Sequence, residues 1–286
     1  MNFKLIKNPM ENNATRAAYN ALATETFGLS FEDWYQSGYF DGSHIPYTLF
    51  DGDVAVANIS VNLMDVKYDG KVKKYIQLGT VMTRPKWRGK GLQKQIFNEI
   101  IADFDGIFDC MFLFANKNVL DFYPKLGFEK AVEYSFEKAI TPKPAKVKKL
   151  DMAKAEDVAL FKSYYEKGNS FSAFEVKNGF ALEMFYCGGP YSENVFYMDE
   201  YDAVVVAETD ENTVICLDIF GGESFTAEEI ISAFGCEKLA MGFTPKDTQR
   251  FETAVINDED TTLFVLKGGE NIFAENKLLF PLIAHT

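Results

Sequence analysis

Apolar and polar residues change their spacing several times along this chain, and each change predicts an element. Residues 12–27 carry a helical pattern, with Asn13 or Thr15 placed to cap its start and Gly28 after its last turn. A shorter helix is expected after Ser30, around Phe31-Glu32-Asp33-Trp34. Strand-like runs follow. Pro46 to Phe50 leads through Asp51-Gly52 into Val54 to Met64, and Asp69-Gly70 marks a second hairpin into Tyr75 to Thr83. Leu92, Ile96, Ile100 and Phe104 then recur every four residues, the stripe of an amphipathic helix. Cys110 to Ala115 is apolar throughout and reads as a buried strand. Val119 to Leu126 reads as a short helix stopped by Gly127, and Phe128 to Phe136 as a further strand.

The segment Ile140-Thr141-Pro142-Lys143-Pro144-Ala145-Lys146 breaks this pattern with alternate prolines and reads as an extended linker. Past it the order approximately repeats. A helix is expected over Ala155 to Lys167 with Asp151 as cap, and a hairpin over Asp202 to Glu208 and Asn212 to Phe220. Phe225 to Phe234 reads as a helix with Thr226 and Glu229 in a capping box, followed by strands at Leu239 to Phe243 and Thr262 to Leu266. The alternation implies an α/β chain with mixed sheets in two units, residues 1–140 and 150–286, joined by 141–149.

Composition narrows what such a chain does. Its 286 residues suit two domains, and 47% apolar residues supply packed cores. Residues 1–145 hold 17 basic and 17 acidic side chains; the rest hold 12 and 25, so the whole net charge of −13 falls in the second half. That argues against nucleic acid, which needs a basic face, and suits a cationic partner. No apolar run approaches the roughly 20 residues that span a bilayer, and the polar stretch Met1 to Asn13 does not read as a secretory leader. Cys110, Cys187, Cys216 and Cys236 form no C-x-x-C pair, so reduced, buried thiols in a cytoplasmic protein are expected. Two histidines, His44 and His285, are too few for a His-rich metal centre, and no metal is expected.

The chemistry concentrates in Thr83-Arg84-Pro85-Lys86-Trp87-Arg88-Gly89-Lys90-Gly91-Leu92, between a strand and a helix. A two-glycine turn that opens a helix lets backbone N–H groups approach phosphates, and Lys86, Arg88 and Lys90 surround it. No Gly-Lys-Ser/Thr follows, so ATP cradling of the P-loop kind is not expected. This strand, loop and helix resemble the acetyl-CoA signature of the GNAT (Gcn5-related N-acetyltransferase) family: Arg or Gln, two residues, Gly, one residue, Gly or Ala. Arg88, Gly91 and Gln93 stand at its three fixed places, Gln93 replacing the small residue. A second block, Asn116-Lys117-Asn118-Val119-Leu120-Asp121-Phe122-Tyr123-Pro124-Lys125-Leu126-Gly127-Phe128, is similar to the family's Asn-x-x-Ala-x-x-Phe-Tyr-x-x-x-Gly-Phe, with Val119 for Ala. The likeness covers residues 12–138. It implies a GNAT fold, followed by a divergent GNAT-like unit that lacks the glycine loop and borders the acceptor cleft.

The resemblance also implies roles. The loop from Arg88 through Gly89, Lys90, Gly91, Leu92 and Gln93 would hold the acetyl-CoA pyrophosphate. Val81, Met82 and Thr83 would hold the pantetheine arm as an added strand, with Asn116 and Phe122 beside it. Acetyl transfer to an amine asks for amine deprotonation, oxyanion stabilisation and a proton for the leaving thiolate. Tyr123 matches the family's general acid, and the Met82 N–H its oxyanion donor. The strand Tyr75 to Thr83 has no carboxylate, so the base is open between three options: a water relay through Gln77, Thr80 or Asn58; His44, weighed against a plain surface position; and the Thr286 carboxylate, since two- and three-domain relatives direct their last residues into the acceptor cleft. Asp33, Trp34, Tyr35, Tyr39 and Asp41 form a candidate wall for a cationic amine, Trp34 and Tyr35 alternatively packing their own helix. The expected reaction is direct acetyl transfer to a primary amine of a small molecule or peptide. The rival is an acyl-CoA-binding sensor without turnover.

Overall fold

The computed structural model describes residues 3–286. Its first half runs through β1 (Lys4–Lys7), α1 (Asn13–Phe27), α2 (Glu32–Gln36), β2 (His44–Asp51), β3 (Val54–Tyr68), β4 (Lys71–Thr83), α3 (Leu92–Phe104), β5 (Cys110–Ala115), β6 (Phe128–Lys130) and β7 (Tyr134–Ala139). The second continues with β8 (Lys148–Lys149), α4 (Ala155–Tyr165), β9 (Phe174–Val176), α5 (Phe180–Cys187), β10 (Val195–Met198) and β11 (Ala203–Asp210). It ends with β12 (Thr213–Gly221), α6 (Ala227–Ile231), β13 (Lys238–Met241), β14 (Glu252–Val255) and β15 (Thr262–Leu266).

Two mixed sheets result. The first has the order β1-β2-β3-β4-β5-β15-β6, with β9 on β3; the second has β14-β7-β13-β12-β11-β10-β8. Each holds one parallel pair, β4–β5 and β12–β13, whose crossover is the helix α3 or α6. The α3 stripe Leu92, Ile96 and Ile100 is buried against Tyr47, Ile59, Ile76 and Leu78 of the first sheet. Each such side chain contributes roughly 1.5–3 kcal/mol by leaving water.

The sheets exchange strands. β7, expected in the first unit, pairs with β13 and β14, whereas β15, expected in the second, sits between β5 and β6. β5 has apolar residues on both faces, Met111 and Leu113 in one core and Phe112 in another, so its outer edge needs a covering strand. The expected strand 128–136 therefore divides into two short strands in different sheets. Residues 141–149 are not free either. Lys143 N–H donates to Ser232 O (3.0 Å), Ala145 N–H to Ala233 O (3.3 Å), and β8 edges the second sheet.

Three local expectations change. The cap of α1 is Asn12, whose Oδ1 accepts from Ala14 N–H (2.9 Å) and Thr15 N–H (3.3 Å), while Thr15 turns its hydroxyl to Pro9 O (2.5 Å). α4 starts from Lys154 without a side-chain cap, because Asp151 serves Ala153 N–H (3.1 Å). The helix expected over 119–126 is two 3₁₀ turns, Lys117–Val119 and Tyr123–Leu126. Pro124 withholds a donor there and Gly127, at φ 95°, ends the segment.

A C-terminal tail links the sheets. Leu279 N–H donates to Thr244 Oγ1 (2.8 Å), Leu282 N–H to Gly242 O (2.8 Å), and Phe280 N–H to the Glu133 carboxyl (2.8 Å). Phe280 is fully buried against Phe112 and Phe174.

Candidate active site

The glycine loop leads from β4 into α3. Gly89 and Gly91 have φ of 73° and 76°, a region that L side chains enter at a cost, and the space where a Cβ would stand is open at both. Gly91 is the N-cap and offers no side chain, so the first N–H groups of α3 have no side-chain cap. Arg88, Gly89, Lys90 and Gly91 are exposed. Arg88 Nε donates to Thr83 O (3.2 Å), which folds the loop over the end of β4. Arg84 is bound elsewhere, with Nε donating to Ala55 O (2.8 Å) and its guanidinium paired with Glu25. Leu92 packs its side chain into the core, leaving its backbone for a ligand. Open amides, a helix dipole and loose cations fit a diphosphate.

Beside the loop the two parallel strands part. The β4–β5 register ends at Leu78–Leu113. On its other side β4 bulges against β3: Ser60 faces Gly79 but Asn58 faces Met82, which leaves one extra residue on β4. Thr80 in the bulge has φ 43°. Arg84 N–H donates to Val56 O (2.9 Å), so antiparallel alternation turns Met82 toward β3 and the N–H groups of Val81 and Thr83 toward the gap. The expectation that Met82 N–H serves an oxyanion is corrected here, because the amide faces the ladder. Its side chain is buried among Tyr19, Phe31 and Phe50. Gln93 folds back over this strand, Nε2 lying 2.6 Å from Met82 O, 2.8 Å from Thr83 Oγ1 and 3.3 Å from Asn58 O. Its Oε1 is buried without a partner.

The second motif stands across the gap. Tyr123 is buried in the same core as Leu113, Ala115 and Phe264, its ring 5.2 Å from that of Phe122. No hydrogen bond to its hydroxyl forms among the described residues, and burial pushes its phenol up to about 12. Asn116 is exposed and its Oδ1 accepts from Asn118 N–H (3.0 Å), fixing the turn after β5.

The face of the first sheet opposite α3 receives the tail. Gln77, its amide oriented to satisfy both partners, donates to Ala284 O (2.9 Å) and accepts from Thr286 N–H (3.0 Å). Asn62 Nδ2 donates to Thr286 Oγ1 (2.9 Å) and to Gln77 O (3.0 Å). Gly79 makes this possible: a Cβ there would stand 2.8 Å from the Thr286 carbonyl carbon. Tyr186 donates to His285 O (2.8 Å), and the His285 ring stacks on Phe114 at 3.8 Å. Behind the bulge lies a buried polar row. Thr48 Oγ1 donates to Asn58 Oδ1 (2.8 Å), Asn58 Nδ2 to Thr80 O (2.9 Å), and Thr80 Oγ1 to Ser60 Oγ, with the Tyr19 hydroxyl 3.5 Å from that Ser60 oxygen.

His44 is not at the surface. It is buried against Trp34 and Phe40, its Nδ1 2.5 Å from Asn62 Oδ1, and burial pulls its pKa down to about 4. Because Asn62 Nδ2 is committed to oxygen acceptors, its Oδ1 must receive the Nδ1–H, which leaves a bare lone pair on the unpartnered Nε2. Trp34 is core as well, Nε1 donating to Ala181 O (2.8 Å), and Tyr35 lies under the Arg16 guanidinium at 4.2 Å. The expected aromatic wall is therefore largely a packed cluster. The polar row of Tyr19, Thr48 and Ser60 was missed; alternating polar residues in an otherwise apolar β3, at Asn58, Ser60 and Asn62, are the signal that announces it. No three His, Cys, Asp or Glu side chains gather to hold a metal among the described residues, and no described helix is long and apolar enough to cross a membrane.

Comparison with known proteins bears on the fold. The model of the acetyltransferase (GNAT) family matches residues 9–128. No curated protein matches the sequence. Among solved structures, an Enterococcus faecalis protein described as a probable N-acyltransferase superposes on 93% of this chain and 72% of its own, with TM-score 0.63 and 14% identity. A GCN5-related N-acetyltransferase from Kribbella flavida covers 92% and is covered over 70% (TM-score 0.56, 16% identity), and Eis1 from Mycobacterium abscessus covers 92% and is covered over 72% (TM-score 0.54, 14% identity). At such identities the likeness is one of fold, and it runs through both halves. Residues 9–128 thus match the acetyltransferase (GNAT) family model, and the two sheets together follow the path of structures with that fold.

Proposed function

We propose that this protein transfers an acetyl group from acetyl-CoA to a primary amine of a small molecule or peptide, by direct attack in a ternary complex. One observation carries the reading: an uncapped, cation-flanked helix start at the mouth of a gap between parallel strands, with a phenol across it. Acetyl-CoA would supply the activated acyl group as a thioester. The amides of residues 88–93 would hold its diphosphate, and Val81 and Thr83 would hold the pantetheine arm through backbone groups facing the gap. Val81 N–H, turned toward the gap beside the bulge, takes the oxyanion role. Tyr123, protonated at neutral pH, donates its proton to the departing sulfur. His44 stays neutral and, through Asn62, orients Thr286. The carboxyl group of Thr286, seated at Gly79, is proposed as the base, and removal of His285 and Thr286 should then reduce kcat; undiminished turnover rejects that role.

A second reading has its own observation. Gln93 spends its amide on β4 where the family places a small residue, which suits a module that binds acyl-CoA without turnover. Release of free CoA thiol across an amine panel decides between the two. Sustained release with one or more amines supports the enzyme. Calorimetric CoA binding without release supports the sensor, and no association with CoA overturns both.

A further inference from the structure

A cavity of about 240 Å³ lies between α4, α5, β9, β12 and the tail, with Pro281, Ile283 and Ala284 in its wall. Phe174, Leu182, Phe220 and Phe243 supply apolar wall, and Asn169 and Ser172 polar wall. Of the four carboxyl residues that line it, Glu166 is exposed and Glu175 pairs with Lys177, while Glu183 and Asp218 have no lysine partner among the described residues. Glu183 on α5 is 5% exposed, lines the cavity, and meets no N–H or O–H donor of the described residues; the Cys187 thiol lies 3.9 Å away. Asp218 on β12 accepts at Oδ1 from Asn169 Nδ2 and from Ile219 N–H (2.9 Å), with Oδ2 left over.

No Lys or Arg of the described residues is ion-paired with either carboxyl group; Lys177, at the exposed rim, is taken by Glu175 at 2.8 Å. A buried acid, Glu183, beside a partly buried one, Asp218, with no basic side chain paired to either, is costly unless the two hold protons or meet a cation. No three His, Cys, Asp or Glu side chains of the described residues converge here to hold a metal ion. Aromatic faces and a carboxyl pair instead match an ammonium group on an alkyl chain. We propose that this cavity binds the ammonium group of a small primary alkylamine, Glu183 and Asp218 accepting its hydrogens and the phenyl rings covering its carbons.

Without a ligand the pair carries protons. Burial, then the neighbouring Asp218, pushes Glu183 well above the carboxylate range, and burial raises Asp218 to about 7. Tyr165 on α4, Tyr186 and Cys187 on α5, and Cys216 on β12 are pushed up by burial and stay neutral; Glu166, Glu175 and Lys177 stand at the rim. A bound ammonium therefore displaces protons, and affinity rises as pH goes from 6 to 8.

The proposal stands apart from acetyl transfer, because its test omits acetyl-CoA. Butylamine is titrated calorimetrically into the full chain in two buffers of different ionisation enthalpy. Expected are saturable binding, proton release, at least fivefold tighter binding at pH 8 than at pH 6, and at least tenfold weaker binding in Glu183→Gln. Lys177→Ala should stay within twofold of the parent. Leu182→Trp, which fills the cavity, supplies an independent variant and should abolish binding. No binding to the parent chain, no proton release, or unchanged affinity in folded Glu183→Gln or Leu182→Trp overturns the assignment. In a separate assay with acetyl-CoA added, acetylation of butylamine with its KM raised by Glu183→Gln would mark the ligand as the acceptor, and binding without acetylation would mark it as an effector; both sustain the site.

Discussion

The helices α3 and α6 occupy the same place in their sheets, each joining two parallel strands, yet their first turns have opposite chemistry. α3 starts at a bare glycine among Lys86, Arg88 and Lys90. α6 closes its own start. Thr226 Oγ1 accepts from Glu229 N–H (3.2 Å) while the Glu229 carboxylate accepts from Thr226 N–H (2.8 Å), and Glu228 adds further negative charge. The gaps differ in the same sense. Past its last pair, Cys216–Met241, the second sheet is filled when Gly242 N–H donates to Cys216 O (2.7 Å) and Leu282 docks on Gly242. Past Leu78–Leu113, β4 instead turns Val81 and Thr83 outward. One architecture thus carries two kinds of helix start: in one the backbone groups are satisfied by the chain itself, and in the other they are left open, as the proposed site requires.

The comparison breaks most sharply at Tyr123. Tyr123→Phe should lower kcat by about 10²–10⁴ while CoA affinity stays within a factor of two, measured by turnover and calorimetry. Next is the tail's hold on the first sheet. His285 is held neutral, its pKa pulled down to about 4 by burial. A depressed pKa gives stability that is present above about 6.5 and lost as pH falls through 4, on the order of 3 kcal/mol for such a shift. Glu133, raised to about 7 by burial, acts in the opposite direction, contributing stability that is lost as pH climbs from its ordinary value through 7. Denaturant unfolding of His285→Phe between pH 7 and 4 should therefore show a shallower acid loss than the parent.

Reversing the loop charge with Arg88→Glu and Lys90→Glu should weaken CoA binding about tenfold to a hundredfold, with little change in melting temperature. The matching change in the second half should do the converse. Thr226→Ala should cost about 1 kcal/mol of stability and leave CoA affinity untouched. If that variant weakened CoA binding, the division between a site helix and a structural helix would fail.

What the chain determined by itself is local. The four-residue stripe of α3, the apolar run of β5, the glycine turns and the Thr226–Glu229 box each depend on neighbours within a few residues, so residue order alone revealed them, and with them the loop proposed to hold the cofactor. Tertiary structure decided the rest. That β15 rather than β7 covers β5 depends on which apolar edge each strand meets, a choice between segments more than a hundred residues apart. The seat of Thr286 on Gly79 and the turning of Met82 toward β3 follow from one tail and one bulge, and the burial of His44 and Trp34 from their packing on Phe31, Phe40 and Phe185. Their positions are set by packing across the sheets, which spacing along the chain does not encode.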